Sequence, residues 1–122
     1  MTKIALIEDN AVISQMYRMK FESEGFDVKL ATNGESGIAL VKDFSPDIIL
    51  LDIQMPVMNG AEALKKIRKL DNAQETPVII LTNLGEEEAP KDLASLNISS
   101  YIVKANLTPS QVVKKVKEVL GA

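Results

Sequence analysis

The sequence predicts an α/β fold in which a parallel sheet of five strands carries helices on both faces. Three observations lead there. The run Asp47-Ile48-Ile49-Leu50-Leu51-Asp52 has apolar side chains on both parities of an extended segment, so both faces of that strand are covered. Strand-like and helix-like segments alternate along the chain, which implies right-handed crossovers onto a parallel sheet. Several of the apolar runs stop abruptly at a polar or charged residue, and in open α/β sheets the crevice beyond the carboxyl ends of the strands is where chemistry sits.

The elements follow in order. Lys3-Ile4-Ala5-Leu6-Ile7 is the first strand and ends in Glu8-Asp9-Asn10. Asp9 or Asn10 can cap a helix whose Val12, Ile13, Met16, Tyr17, Met19 and Phe21 are expected to form one buried stripe, ending near Gly25. Asp27 to Ala31 is a short second strand. Thr32-Asn33-Gly34-Glu35 opens a helix containing Ile38, Leu40 and Val41, and Ser45-Pro46 ends it, because the residue before proline is pushed out of the helical region. The third strand leads to Asp52, Gln54 and Pro56. Asn59-Gly60 marks a turn before a helix with Ala63, Leu64, Ile67 and Leu70 inside, and Glu62, Lys65, Lys66, Arg68 and Lys69 outside.

Pro77 to Thr82 is the fourth strand. Glu86-Glu87-Glu88-Ala89-Pro90 reads as the start of a fourth helix or as a solvated acidic face. Ser99 to Val103 is the fifth strand, with Lys104 at its exit. Thr108-Pro109-Ser110-Gln111 is a capping box with proline at the first helical position, followed by Val112, Val113, Val116, Val119 and Leu120 and a stop at Gly121. Five strands thus alternate with five helices. No repeat, low-complexity tract or linker interrupts them, so one domain over residues 1–122 is expected.

Composition narrows the chemistry. The 122 residues include no cysteine and no histidine. Disulfides, thiol nucleophiles, imidazole bases and nitrogen or sulfur metal ligands are all excluded, and a bound metal must be a hard cation held by oxygen, such as Mg²⁺. The formal charge of −3 and the scattered lysines give no dense basic patch, so direct nucleic-acid binding is not expected. No apolar run approaches a membrane span and no signal-peptide core is visible, so a cytoplasmic protein is expected. The first strand is followed by neither Gly-x-Gly-x-x-Gly nor Gly-Lys-Ser/Thr. Of the two five-strand arrangements, Rossmann-like and flavodoxin-like, this weakens the nucleotide-binding branch.

The strand ends offer Glu8, Asp9, Asp52, Thr82 and Lys104. Singly, each is an ordinary cap or loop residue. Jointly they are harder to dismiss, since carboxylates about 4 Å apart repel by roughly 4 kcal/mol per pair at an effective dielectric near 20. Protons or a divalent cation must relieve that. A cation held by Asp9 and Asp52 would screen phosphate from carboxylate and leave one Asp52 oxygen to attack phosphorus, with Lys104 and Thr82 on the phosphoryl oxygens.

With these residues in view, the chain resembles the receiver domain of two-component response regulators, as found in chemotaxis response regulators and in transcription regulators. The resemblance runs the whole length: Glu8-Asp9 after strand one, Leu50-Leu51-Asp52-Ile53-Gln54-Met55-Pro56-Val57-Met58-Asn59-Gly60, Thr82 after strand four, and Tyr101-Ile102-Val103-Lys104. It implies a flavodoxin-like (βα)5 fold with strand order 2-1-3-4-5. It also implies a phosphorylation-dependent signalling switch that is not a turnover enzyme but catalyses its own phosphorylation and dephosphorylation. Asp52 would be phosphorylated by a sensor histidine kinase, a histidine phosphotransfer protein or a small acyl phosphate. Mg²⁺ would be held by Asp9, Asp52 and the Gln54 carbonyl, with Glu8 helping through water. Thr82 and Lys104 would bind the phosphoryl group, and Thr82 and Tyr101 would carry the change to the surface of the fourth helix, fifth strand and fifth helix. The reader would be a downstream target or output domain, and the chain a monomer or a phosphorylation-dependent homodimer.

Three places depart from the family pattern: Ala105 replaces a proline after Lys104, Asn83 replaces a small residue after Thr82, and Pro90 and Asn97 flank the fourth helix. A non-proline cis bond costs about 3 kcal/mol, which removes the reason for a cis peptide at Ala105. Two rivals are a haloacid-dehalogenase-like phosphatase, which wants an acid where Gln54 stands, and a degenerate receiver that only binds protein.

Overall fold

The computed structural model describes residues 1–121. Strands β1 (Lys3–Ile7), β2 (Asp27–Ala31), β3 (Ile48–Leu51), β4 (Val78–Thr82) and β5 (Ser100–Val103) form one parallel sheet in the order β2-β1-β3-β4-β5. This is the flavodoxin-like order. β1 and β3 are direct neighbours with Ile7 opposite Leu51, so the next residue on each strand, Glu8 and Asp52, leaves the sheet at the same edge. Thr82 closes β4 opposite Val103 of β5, which brings Lys104 to that edge as well.

Burial on both parities produces two cores. Ala5, Ile7, Ile49, Leu51, Val78 and Ile80 face α2 (Gly34–Phe44) and α3 (Gly60–Ile67), against Val41, Ala61, Leu64 and Ile67. Ile4, Leu6, Ile48, Leu50, Ile79 and Leu81 face α1 (Ala11–Ser23) and α4 (Pro109–Val119), against Tyr17, Phe21, Val112, Val113 and Val116. Each fully buried Ile or Leu contributes about 1.5–3 kcal/mol relative to exposure, so the central strands fix the frame on which the edge residues stand.

The helix ends follow the sequence signals. Asn10 caps α1 by accepting from the amides of Val12 and Ile13, which leaves Asp9 out of the capping. Asn33 and Ser36 form a capping box on α2, and Thr108 and Gln111 form one on α4. Ser45 and Asn97 adopt the left-handed conformation that ends a helical turn, and Gly121 at φ +75 follows α4.

Three expectations are corrected. The stripe expected on α1 is only partly buried: Tyr17 and Phe21 are inside, but Val12, Met16 and Met19 are exposed and Ser14 is buried instead. Val12, Met16 and Met19 at i, i+4, i+7 interleave with Ser14, Tyr17 and Phe21 at i, i+3, i+7, and the sheet took the set that carries the aromatic area. The fourth helix is absent as an α-helix. Glu86–Glu88 and Lys91–Leu96 are two short 3₁₀ turns, separated at Pro90, which lacks the amide and clashes with a continuing α-helix. The acidic run is a solvated face. Arg68 also leaves the outer face: its guanidinium turns inward and donates to the carbonyls of Ala73 (3.0 Å), Thr76 (2.7 Å), Leu96 (3.0 Å) and Asn97 (3.0 Å).

Candidate functional site

Because β1 and β3 are adjacent, Glu8, Asp9 and Asp52 each offer a carboxylate oxygen within 4.8 Å of the others. Glu8 and Asp52 are buried, while Asp9 is exposed at the rim. Asp52 lies one residue beyond β3, and its amide donates to the Ile7 carbonyl at 3.0 Å. Its Oδ1 accepts from the Gln54 amide at 2.9 Å, so the chain doubles back over the carboxylate; the Gln54 side chain is exposed.

Lys104 joins the acids. Its Nζ donates to Glu8 Oε2 and to Asp52 Oδ2, the latter at 3.0 Å, with all three side chains nearly excluded from water. The lysine reaches the site although Ala105 follows it and the peptide there is trans. Glu8 is held further by the Asn10 amide on Oε1 (3.1 Å), and its carbonyl accepts from the Ser14 hydroxyl (3.3 Å). Ser14 was not among the residues singled out from the sequence. Its signal was a small polar side chain in register with Tyr17 and Phe21 on the buried stripe.

The electrostatics follow from this crowding. Burial, with added repulsion from Asp52, pushes the Glu8 carboxyl up to about 7 against the opposing pull of Lys104 and the Asn10 amide. Burial alone would lower Lys104, but its hydrogen bonds to Glu8 and Asp52 outweigh that and hold the ammonium above its ordinary range. The lysine is therefore the cation of this pocket. Two buried carboxylates and one rim carboxylate exceed the single positive charge facing them.

Thr82 is fully buried at the end of β4, and its Oγ1 accepts from the Leu84 amide at 3.4 Å. The hydroxyl of half-buried Tyr101 donates to the Leu84 carbonyl at 2.8 Å and reaches the Gly85 carbonyl at 3.5 Å. Both faces of one residue's backbone thus connect Thr82 to Tyr101. Burial, then the charges of Glu86, Asp52 and Glu88, push the Tyr101 phenol above its usual value. Of the expected residues, Glu8, Asp9, Asp52 and Lys104 meet, Gln54 is bonded to Asp52 through its amide, Thr82 ends β4 at the same sheet edge, and Tyr101 is joined to Thr82 only through Leu84.

Residues 4–117 match the sequence pattern of the response regulator receiver domain. The chain belongs to that family. Receiver domains are the phospho-acceptors of two-component systems, and this receiver domain has the fold and the acidic edge of a phosphorylation-dependent signalling switch. It is 37% identical over 119 residues to the transcriptional regulatory protein ResD of Bacillus subtilis, covering 98% of this chain and 48% of ResD. The chemotaxis protein CheY of Halobacterium salinarum is 29% identical over 120 residues, covering 98% of each chain. The crystallised CheY4 of Vibrio cholerae superposes with a TM-score of 0.90 at 27% identity, covering 98% of each chain. The chain spans about half the length of ResD and of the phosphate regulon regulator PhoB of Rhizobium meliloti. Nothing favours the phosphatase or the degenerate receiver, and among the described residues no helix is long and apolar enough to cross a membrane.

Proposed function

We propose that Asp52 is the phospho-acceptor, in a Mg²⁺-dependent transfer from a phosphohistidine of a sensor kinase or phosphotransfer protein, or from a small acyl phosphate. The observation that supports this most is the meeting of Glu8, Asp9 and Asp52 within 4.8 Å around one lysine. The donor set fits a hard divalent cation: only oxygen is offered, and three carboxylates face the single ammonium of Lys104. Asp9, Asp52 and the Gln54 carbonyl would hold the ion directly and Glu8 through water. Bound there, the ion supplies charge neutralisation for the phosphoryl oxygens and screens them from the carboxylates.

One Asp52 oxygen attacks phosphorus in line. A P–O bond forms to the carboxylate as the P–N bond of the phosphohistidine, or the P–O bond of an acyl phosphate, breaks and its electron pair leaves with the donor. Lys104 stays on Glu8 and passes its second hydrogen bond from Asp52 to a phosphoryl oxygen, while the Thr82 hydroxyl takes another. The same groups would hold the aspartyl phosphate during hydrolysis by water, so the domain promotes its own dephosphorylation without being a turnover enzyme. When Thr82 turns to the phosphate it gives up the Leu84 amide, which frees Leu84 to shift under Tyr101 and changes the surface beside β5 and α4. A target protein or attached output domain reads that surface. ResD is a transcriptional regulatory protein by name, and contact with DNA would fall to such an output, not to these residues with their net charge of −3. The whole 1–122 chain acts as one cytoplasmic receiver module in this reading.

Intact-mass measurement after incubation with Mg²⁺ and a small acyl phosphate tests it. One phosphoryl adduct is expected, not formed when chelator is present before the donor is added, and absent from Asp52→Asn. An adduct that persists in Asp52→Asn, or sustained hydrolysis of a stable phosphomonoester, would overturn the assignment.

A further inference from the structure

We propose that Gly60 is a positioning residue for the phospho-acceptor: the lack of a side chain there lets α3 begin against the backbone of Asp52 and so sets the carboxylate and the metal-facing loop. This rests on Asp52 as the acceptor. Since Asp52 lies beyond the end of β3, the strand ladder holds its amide through Ile7 but not its carbonyl side. That side is closed by α3. The Gly60 amide donates to the Ile53 carbonyl at 3.2 Å, and a Cβ on Gly60 would stand 2.5 Å from the Asp52 carbonyl oxygen, 2.6 Å from Ile53 Cα and 2.9 Å from Ile53 Cγ2.

The conformation of Gly60 does not demand glycine, because positive φ among the glycines is confined to Gly25 and Gly121. Space demands it. At Gly37 an added Cβ would meet side-chain atoms alone, Ile7 Cδ1 at 2.7 Å, Cγ2 at 2.9 Å and Cγ1 at 3.1 Å, so the cost there falls on core packing and not on the backbone of residue 52. At Gly60 the two nearest opposing atoms are backbone, the Asp52 carbonyl oxygen and Ile53 Cα, and cannot turn away.

The loop between is short and bonded to itself. The Gln54 amide is on Asp52 Oδ1, the Met58 amide on the Pro56 carbonyl at 2.8 Å, and Asn59 caps α3 at the Glu62 amide at 3.0 Å. An added methyl therefore cannot be absorbed within the loop. It must push the Asp52–Ile53 peptide off α3, displacing the acceptor carboxylate and the Gln54 carbonyl together. Transfer reactions lose up to about a hundredfold for a misplacement near 1 Å.

The test compares Gly60→Ala with Gly37→Ala, each measured for stability, for half-saturating Mg²⁺ by titration, and for phosphorylation rate with an acyl phosphate at saturating Mg²⁺. Both variants should lose stability. Only Gly60→Ala should weaken Mg²⁺ binding and slow phosphorylation, each by roughly tenfold or more, with Gly37→Ala within about twofold of the native chain. Equal behaviour of the two variants would overturn the inference. Should Gly60→Ala not fold, the native chain decides: the Gly60 amide resonance should move with Mg²⁺ at the same midpoint as that of Gln54, and a silent Gly60 would overturn it. An adduct retained in Asp52→Asn would instead sink the acceptor assignment and leave the packing of Gly60 on residue 52 unexplained.

Discussion

The two connections that follow β3 and β4 at the carboxyl edge of the sheet are built by different means. The β3–α3 connection is anchored by a fully buried strand on one side and by the backbone contact at Gly60 on the other. The β4–β5 connection, from Asn83 to Ser99, has one fully packed apolar side chain, Leu93, with Leu84, Ala89, Leu96 and Ile98 only partly buried against the core, and polar tethers besides. Arg68 holds the Leu96 and Asn97 carbonyls, Lys65 pairs with Asp92, and Tyr101 holds Leu84. In the proposed function the first connection holds the acceptor carboxylate still. The second is held by partial apolar packing and a few polar contacts, the latter each worth about 1 kcal/mol or a little more, which in the proposed function is the scale on which a new charge at Asp52 shifts an equilibrium.

Truncations on the two sides should break or sharpen that contrast. Leu50→Ala, in the strand that delivers Asp52, should cost about 3–5 kcal/mol in global unfolding by denaturant. Leu93→Ala should cost clearly less, about 1–2 kcal/mol, because its segment can detach without opening the sheet. Equal losses would show that the β4–β5 connection is as integral as β3. Arg68→Met should cost about 2–3 kcal/mol by leaving four carbonyls without their donor, and should speed amide exchange at residues 96–99 before anywhere in β1 or β3.

The acid site has its own signature in pH. The folded Glu8 carboxyl titrates at about 7 against an ordinary 4.5, so the folded chain keeps a proton that the unfolded chain has released. That contribution is fully present below about pH 4.5 and is lost as pH rises towards 7, so metal-free stability should fall across this window. Glu8→Gln should flatten the fall, and Mg²⁺ should bind more tightly as pH rises through the same range. A metal-free melting temperature that rises from pH 5 to 7 in the native chain relative to Glu8→Gln would contradict it. Tyr101→Phe should be the mildest change, removing one hydrogen bond for about 1 kcal/mol, with Asp52 phosphorylation intact and the Leu84 amide shifted in NMR spectra.

The sheet was legible because its signals are dense: the four-residue apolar runs of β1, β3 and β4, on both parities, and the polar residue at each of their exits leave few arrangements open. The capping residues Asn10, Asn33 and Thr108 were equally readable, each signal lying within three residues of its effect. What escaped the sequence depends on distant partners. On α1, Val12, Met16 and Met19 compete with Tyr17 and Phe21 for the core, and only the sheet decides between them. Arg68 reads as one more basic residue on an outer face until residues 96 and 97 arrive beside it. Glu8 and Asp9 look interchangeable in sequence, yet the strand register buries Glu8 against Lys104 and leaves Asp9 at the rim. Pro90, read with the acidic run before it as part of a helix start, instead divides two short turns.

The central claim is that one side chain at the end of β3 takes the phosphoryl group. Borohydride reduction of the phosphorylated chain converts an aspartyl phosphate to homoserine, and peptide mapping by mass spectrometry then locates it. Homoserine at position 52 alone is the expected result. Reduction at position 9, a reduced glutamyl residue at position 8, or no reduced residue despite a phosphoryl adduct would contradict the account.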